Sequence, residues 1–414
     1  TWSLENRPKE YYAFLLLLVA GVFGVFVSLD LFIFFLFYEI AVLPMYLLIG
    51  IWGTSKEVPA GGFFAFVWKR LKVGGKEYAA MKLTIMLLLG SALILAAFLA
   101  MVGETPGNSW DLEAMEKVNF SPEMQAWAFP ALWIGFGSLA GLFPFHTWSP
   151  DGHASAPTSV SMLHAGVLMK LGAFGLMRVG MVCLPVAATD WAFIIGVVAV
   201  INIVWGALSA MGQTDLKYII AYSSVSHMGI VMLGAATLTT AGWNGAIYQM
   251  VAHGVMTGLF FALVGLVYER AHNREIFQMG GFAAKMPGIA VAFTIAGLSS
   301  LGLPGTAGFA AELQVFIGAW QSAHSWWAIP AILGALFTAI YVLRGIRAIF
   351  WGEGPSERYE DLEDAKGPEW IALIMLGGCI ILFGVYPNLL LDFIDPTTIP
   401  FLEKVNAVVV GGAP

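Results

Sequence analysis

Apolar runs of about twenty residues alternate with short polar connections along nearly the whole chain. A helix that crosses a bilayer needs about 20 predominantly apolar residues. Eleven stretches qualify: 12–28, 31–53, 79–102, 126–148, 157–182, 190–211, 215–235, 243–268, 287–321, 326–351 and 369–392. The pattern predicts an all-α polytopic membrane protein. Two of the eleven are interrupted, the fourth at Gly141-Leu-Phe-Pro144 and the ninth at Ser299-Ser-Leu-Gly-Leu-Pro-Gly-Thr-Ala-Gly308. Glycine and proline at this density break a helix. In a bilayer, irregular backbone persists only where it is buried in protein or lines a wet cavity. The two breaks lie five spans apart. Such spacing predicts two inverted five-helix repeats, 12–182 and 190–351, with corresponding helices broken. Around them stand a lead-in at 1–11, an insert at 54–78, a last transmembrane helix at 369–392 and a tail at 393–414. Within the insert, Phe63-Phe-Ala-Phe-Val-Trp-Lys-Arg-Leu-Lys72 turns from apolar to basic and reads as a short interfacial helix.

Composition sharpens the class. Of 414 residues, 59% are hydrophobic and only 11% charged, where a soluble domain carries roughly 25%. A net charge of -7 disfavours nucleic-acid binding. Cys183 and Cys379 are too few and too far apart for an iron-sulfur site or a disulfide framework. No glycine-rich phosphate loop is present. Sixteen of the twenty Lys and Arg fall in connections or span ends on one side; Lys117, Arg178 and Lys404 fall on the other, and Lys170 lies well within a span. Basic residues stay on the cytoplasmic side. Residue 1 is thereby placed in the cytoplasm and the C-terminus outside.

Three charges sit where packing alone does not justify them. Glu39 is inside the second span, Lys170 inside the fifth and Glu312 inside the ninth. Each costs roughly 2.5–3.5 kcal/mol at mid-bilayer on insertion scales. His164 and His253 also lie well inside spans, and Lys217 opens the seventh. The plain alternative is acid–base pairs that fasten helices, Glu39 against Lys170 above all. A lone buried histidine is often structural. That reading is even for His253 and stronger for His227, in its Ser-Ser-Val-Ser-His-Met run. His146 and His153 read as cap and loop contacts. The sharper reading is a chain of protonatable groups. Burial raises carboxyl pKa values and lowers those of amines and imidazoles, so such groups can hand a proton on when a neighbouring charge changes.

The residues also carry a resemblance. Phe37-Tyr-Glu-Ile-Ala-Val-Leu-Pro-Met-Tyr-Leu-Leu-Ile-Gly-Ile-Trp-Gly53 resembles the glutamate motif of the antiporter-like subunits of respiratory complex I. His146-Thr-Trp-Ser-Pro-Asp-Gly-His-Ala-Ser-Ala-Pro157 looks like their signature loop, and Gln213-Thr-Asp-Leu-Lys-Tyr-Ile-Ile-Ala-Tyr-Ser-Ser-Val-Ser-His-Met-Gly229 is similar to their most recognisable run. Glu312, rather than lysine, in the second broken helix points to the M-type. The resemblance implies fourteen helices, of which these eleven would be the fourth to fourteenth. It implies proton translocation coupled to quinone reduction on other subunits. It implies partners among L-type and N-type chains, with quinone, FMN and iron-sulfur clusters on partner subunits and no cofactor here. An energy-transducing membrane, the bacterial inner membrane, is the expected place. A multi-chain cation/proton antiporter or a membrane-bound hydrogenase-type complex is the alternative.

Carried over residue by residue, Glu39 matches the glutamate of the first half-channel and Lys170 the lysine connecting the halves. Glu312 matches the acid of the second half, His253 the histidine of the helix before it, and Lys217 a lysine near the start of its helix, either structural or at the cytoplasmic mouth. One departure stands out: Leu139 occupies the place where the family has a lysine in the first broken helix. His164 is the expected replacement. It lies six residues before Lys170, or ~9 Å along a helix axis. Lys82, at the start of the third span, is a weaker candidate. The expected relay is Glu39–His164–Lys170–His253–Glu312.

Overall fold

The computed structural model describes residues 4–55, 73–352, 357–359 and 361–411. The interfacial helix expected over 63–72 falls outside them. The described chain is helical apart from two isolated bridges, Asp30 with Asp111 and Asp215 with Glu275. It divides into two compact units, Thr1–Trp191 with Lys404–Pro414, and Ala192–Glu403.

In the first unit, α1 (Pro8–Val27) packs on α2 (Leu31–Trp52), followed by α3 (Lys76–Glu104) and the short α4 (Leu112–Met115). Close packing of α1 on α2 depends on Gly21, where a Cβ would stand 2.6 Å from the Ala41 backbone nitrogen. Helix α5 (Pro122–Ala140) ends at Gly141, whose φ of 72° suits glycine. After the break come α6 (Trp148–Ser155) and α7 (Thr158–Met181). Helix starts are capped from the sequence: Asp30 accepts from the Ile33 N–H at 2.9 Å and Ser121 from that of Met124 at 3.2 Å. Helix α7 contains two π-helical turns, His164–Leu168 and Leu176–Met181.

Helix α8 (Pro185–Gly212) carries the chain across the division at Trp191 and Ala192. The second unit holds α9 (Leu216–Ala236), α10 (Thr240–Ala271), α11 (Pro287–Ser300), α12 (Ala307–Gln321), α13 (Ala328–Phe350), α14 (Glu369–Val385) and most of α15 (Asn388–Gly411). Asp215 caps α9 at the Lys217 N–H, 2.9 Å away, and Thr239 caps α10 at that of Gly242, 3.1 Å away.

Among the described residues, nine helices are long and apolar enough to span a membrane, or ten if the bent pair α14–α15 is one span. The expected ninth span, 287–321, is two helices of 14 and 15 residues, each too short to cross alone. Gly302 and Gly305, at φ 71° and 91°, turn the chain between them.

The chain after 392 is also helical. Pro387 has no N–H to donate and disfavours helix at Tyr386. Helix α14 therefore stops, and α15 leaves at 69°. Pro396 and Pro400 sit inside α15 without ending it. The elbow packs on the second break. The Tyr248 hydroxyl donates to the Phe383 carbonyl at 2.5 Å, a Cβ on Gly384 would collide with the Thr306 backbone, and Ile394 joins a cluster with Tyr248, Ala252, Ala307 and Ala311.

Candidate functional site

Each unit gathers buried polar groups at its own break. In the second unit, Glu312 lies on the second turn of α12, 4% exposed. Its Oε1 is 3.4 Å from His227 Nδ1 on α9. Gln249 Nε2 on α10 is 3.1 Å from the same nitrogen, and Ser300 Oγ, at the end of α11, is 3.1 Å from His227 Nε2. On α13, the buried Tyr341 hydroxyl donates to Ser223 of α9 at 2.6 Å. Ser223 and Tyr341 face a small, mostly apolar cavity of about 20 Å³, lined also by Leu216 and Ile219 at the start of α9. The His253 ring centre lies 5.1 Å from that of His227.

The arrangement has a direct chemical consequence. An imidazole can receive a proton on one ring nitrogen and release another from the second. His227 presents one nitrogen to a hydroxyl and the other to a carboxylate. The break brings them together: Gly302 lies so close to Glu312 that a Cβ there would be 2.7 Å from Oε2.

His227 was read from sequence as structural, yet it stands between Glu312 and Ser300. Its one available signal was spacing, four residues after Ser223 on the same helix face. Lys217 is buried, but it belongs to the end of α9 with Asp215, which also meets Arg274 at 3.5 Å. Ten residues, or ~15 Å of helix rise, separate Lys217 from His227.

In the first unit, the Glu39 carboxyl faces the Ser91 hydroxyl of α3, and Glu39 Oε1 is buried with no hydrogen-bond partner. Leu139 is fully buried in the last turn of α5. Trp148 closes the break by donating from Nε1 to the Ser138 carbonyl at 2.9 Å. His164 opens a π turn, stacked against Trp148 with centroids 5.2 Å apart and against His153 at 3.9 Å. Both ring nitrogens of His164 are buried without a hydrogen-bond partner. Lys170, 3% exposed, turns its amine onto the Ala165 carbonyl of that π turn. π turns recur at functional sites. His146 and His153, read as cap and loop residues, are both buried beside the break. Lys82 reaches Asp151 at 2.8 Å.

Among the described residues, no group of three or more His, Cys, Asp or Glu is arranged to hold a metal ion.

Comparison with known proteins places this geometry in context. Residues 74–338 match the family described as NADH:quinone oxidoreductase/Mrp antiporter, TM. NAD(P)H-quinone oxidoreductase chain 4 1 of Picosynechococcus sp. is 37% identical, over 98% of this chain and 74% of that protein. NADH-quinone oxidoreductase subunit M of Rhodobacter capsulatus is 34% identical, over 98% and 78%. Among solved structures, respiratory complex I from Thermus thermophilus with bound NADH aligns at a TM-score of 0.87 and 28% identity, covering 95% of this chain and 79% of that one. The Mrp complex from Dietzia sp. aligns at 0.81 with 21% identity, a likeness of fold alone.

Proposed function

Because this chain belongs to the NADH:quinone oxidoreductase/Mrp antiporter family of membrane subunits, we propose that it is the M-type, proton-translocating subunit in the membrane arm of a complex I-type oxidoreductase. It is a multi-pass membrane protein of a multi-subunit respiratory enzyme. Quinone reduction takes place on other subunits, which carry the quinone, FMN and iron-sulfur clusters. L-type and N-type antiporter-like chains are its neighbours. The membrane is the bacterial inner membrane, with residue 1 on the cytoplasmic side. Eleven spans are counted here, the broken pair α11–α12 serving as one, in two inverted five-helix repeats.

The observation that supports this most is the buried run Ser300–His227–Glu312, with an acid at its end. Hydroxyls and imidazole relay a proton by exchanging hydrogen-bond partners, and the carboxylate stores it. In the first half, Glu39 and His164 take those parts, and Lys170 has the connecting role that its place in the family motif gives it. His253 extends the second half beside His227. Lys217 serves the cytoplasmic mouth. A charge change at one member alters its neighbour's proton affinity, at 1.36 kcal/mol per pKa unit.

The test is proton translocation measured against quinone reduction in the assembled complex within sealed vesicles. Glu312→Gln must depress both. Unchanged stoichiometry and rate in that variant would remove this chain from the proton path. The antiporter alternative draws on likeness of fold, whereas the relatives at 34–37% identity are quinone oxidoreductase subunits.

A further inference from the structure

We propose that the Lys82–Asp151 ion pair is the proton inlet of the first half and loads the buried His153–His164 pair from the aqueous side. The inference rests on the proton-translocating reading above and supplies what Leu139 leaves out.

Lys82 stands on the second turn of α3, on the side where the basic residues cluster. Its Nζ is 2.8 Å from Asp151 Oδ2 on α6, and the two side chains are 23% and 28% exposed. The pair is thus partly exposed, while most of its surface is enclosed by this chain. The Tyr78 ring lies 5.9 Å from the same ammonium, and the buried His146 is within its electrostatic reach.

Gly152 follows Asp151 directly. A Cβ on it would stand 3.2 Å from Leu83 Cδ1 and 3.2 Å from His164 Cε1. Leu83, the neighbour of Lys82 on α3, and the His164 ring therefore meet over the same face of Gly152, the residue next to Asp151. A buried polar atom without a partner costs about 1–3 kcal/mol, and His164 has two, pressed against His153. Close packing alone would be served better by an apolar ring. A buried base one residue removed from the ion pair on both α3 and α6 is arranged to receive a proton from it.

The step balances simply. The Lys82 ammonium releases a proton through the Asp151 carboxylate to a ring nitrogen of the histidine pair. The neutral amine then takes a proton from water. Lys170, whose amine rests on the Ala165 carbonyl next to His164, is the following member.

Lys82→Arg separates this from a structural tie. A guanidinium keeps the ion pair but does not give up its proton. In the intact complex in sealed vesicles, Lys82→Arg and the isosteric Asp151→Asn are each expected to lower proton translocation and quinone reduction about tenfold. Wild-type rates in Lys82→Arg would overturn the inlet and leave a surface tie, worth about 0–1 kcal/mol. His164→Ala is the control for the underlying reading. If it pumps normally, the first-half relay itself fails. If it is impaired while Lys82→Arg is not, only the inlet fails.

Discussion

His227 and Glu312, on helices far apart in sequence, meet at the second break with Nδ1 3.4 Å from Oε1, and both side chains are almost fully buried. A pair acting in series gives non-additive losses. Glu312→Gln and His227→Asn should each reduce proton-coupled quinone reduction by about tenfold or more. The double variant should be little worse than either alone. Losses that multiply in the double-mutant cycle would mean that the two act separately.

Tyr341 lines the small cavity beside Ser223. Tyr341→Phe keeps the ring and deletes the hydroxyl that bonds Ser223 at 2.6 Å. The expected stability loss is about 1 kcal/mol, with a larger effect on rate. Thermal unfolding and turnover measured on the same preparation separate the two, and a fall in stability with unchanged turnover would confine Tyr341 to packing.

Gly302 combines a φ of 71° with contact to the Glu312 carboxylate. Gly302→Ala should cost about 1–2 kcal/mol from the left-handed backbone and displace Oε2. Activity should fall as in Glu312→Gln. A fully active Gly302→Ala protein would show that the carboxylate's position at the break is unimportant.

Leu139 permits a gain-of-function experiment. His164→Ala should impair pumping, and adding Leu139→Lys should restore part of it, because a base returns to the first break. The buried ammonium costs roughly 2.5–3.5 kcal/mol, so rescue will be incomplete. No rescue in an assembled complex would separate the two positions functionally.

The all-helical membrane class was legible from the apolar runs, and the breaks and the buried Lys170 and Glu312 because each violates the bilayer's demand for apolar side chains and closed hydrogen bonds. Glu312 announced itself in that way. Its partners did not. Ser300, Gln249 and Tyr341 are neutral and inexpensive to bury, so nothing in their spans marks them. His227 gains its meaning from a helix 85 positions later, and periodicity on its own helix does not report such a contact. Lys82 ranks as the weaker candidate in the sequence because its partner, Asp151, lies beyond a break whose fold-back the sequence does not specify. The helix after Pro387 was missed because Asp392, Asp395, Pro396 and Pro400 dilute its apolar pattern.

The elbow at Tyr386 and Pro387 gives that last helix a longer reach than its position suggests. Gly384 rests on Thr306, and Ile394 on the turn of α12 before Glu312. The broken segment is therefore braced from outside by the end of the chain. The seating of Glu312 thus depends on residues about seventy to eighty positions later in the chain, and the C-terminal helix is part of what holds the break in place.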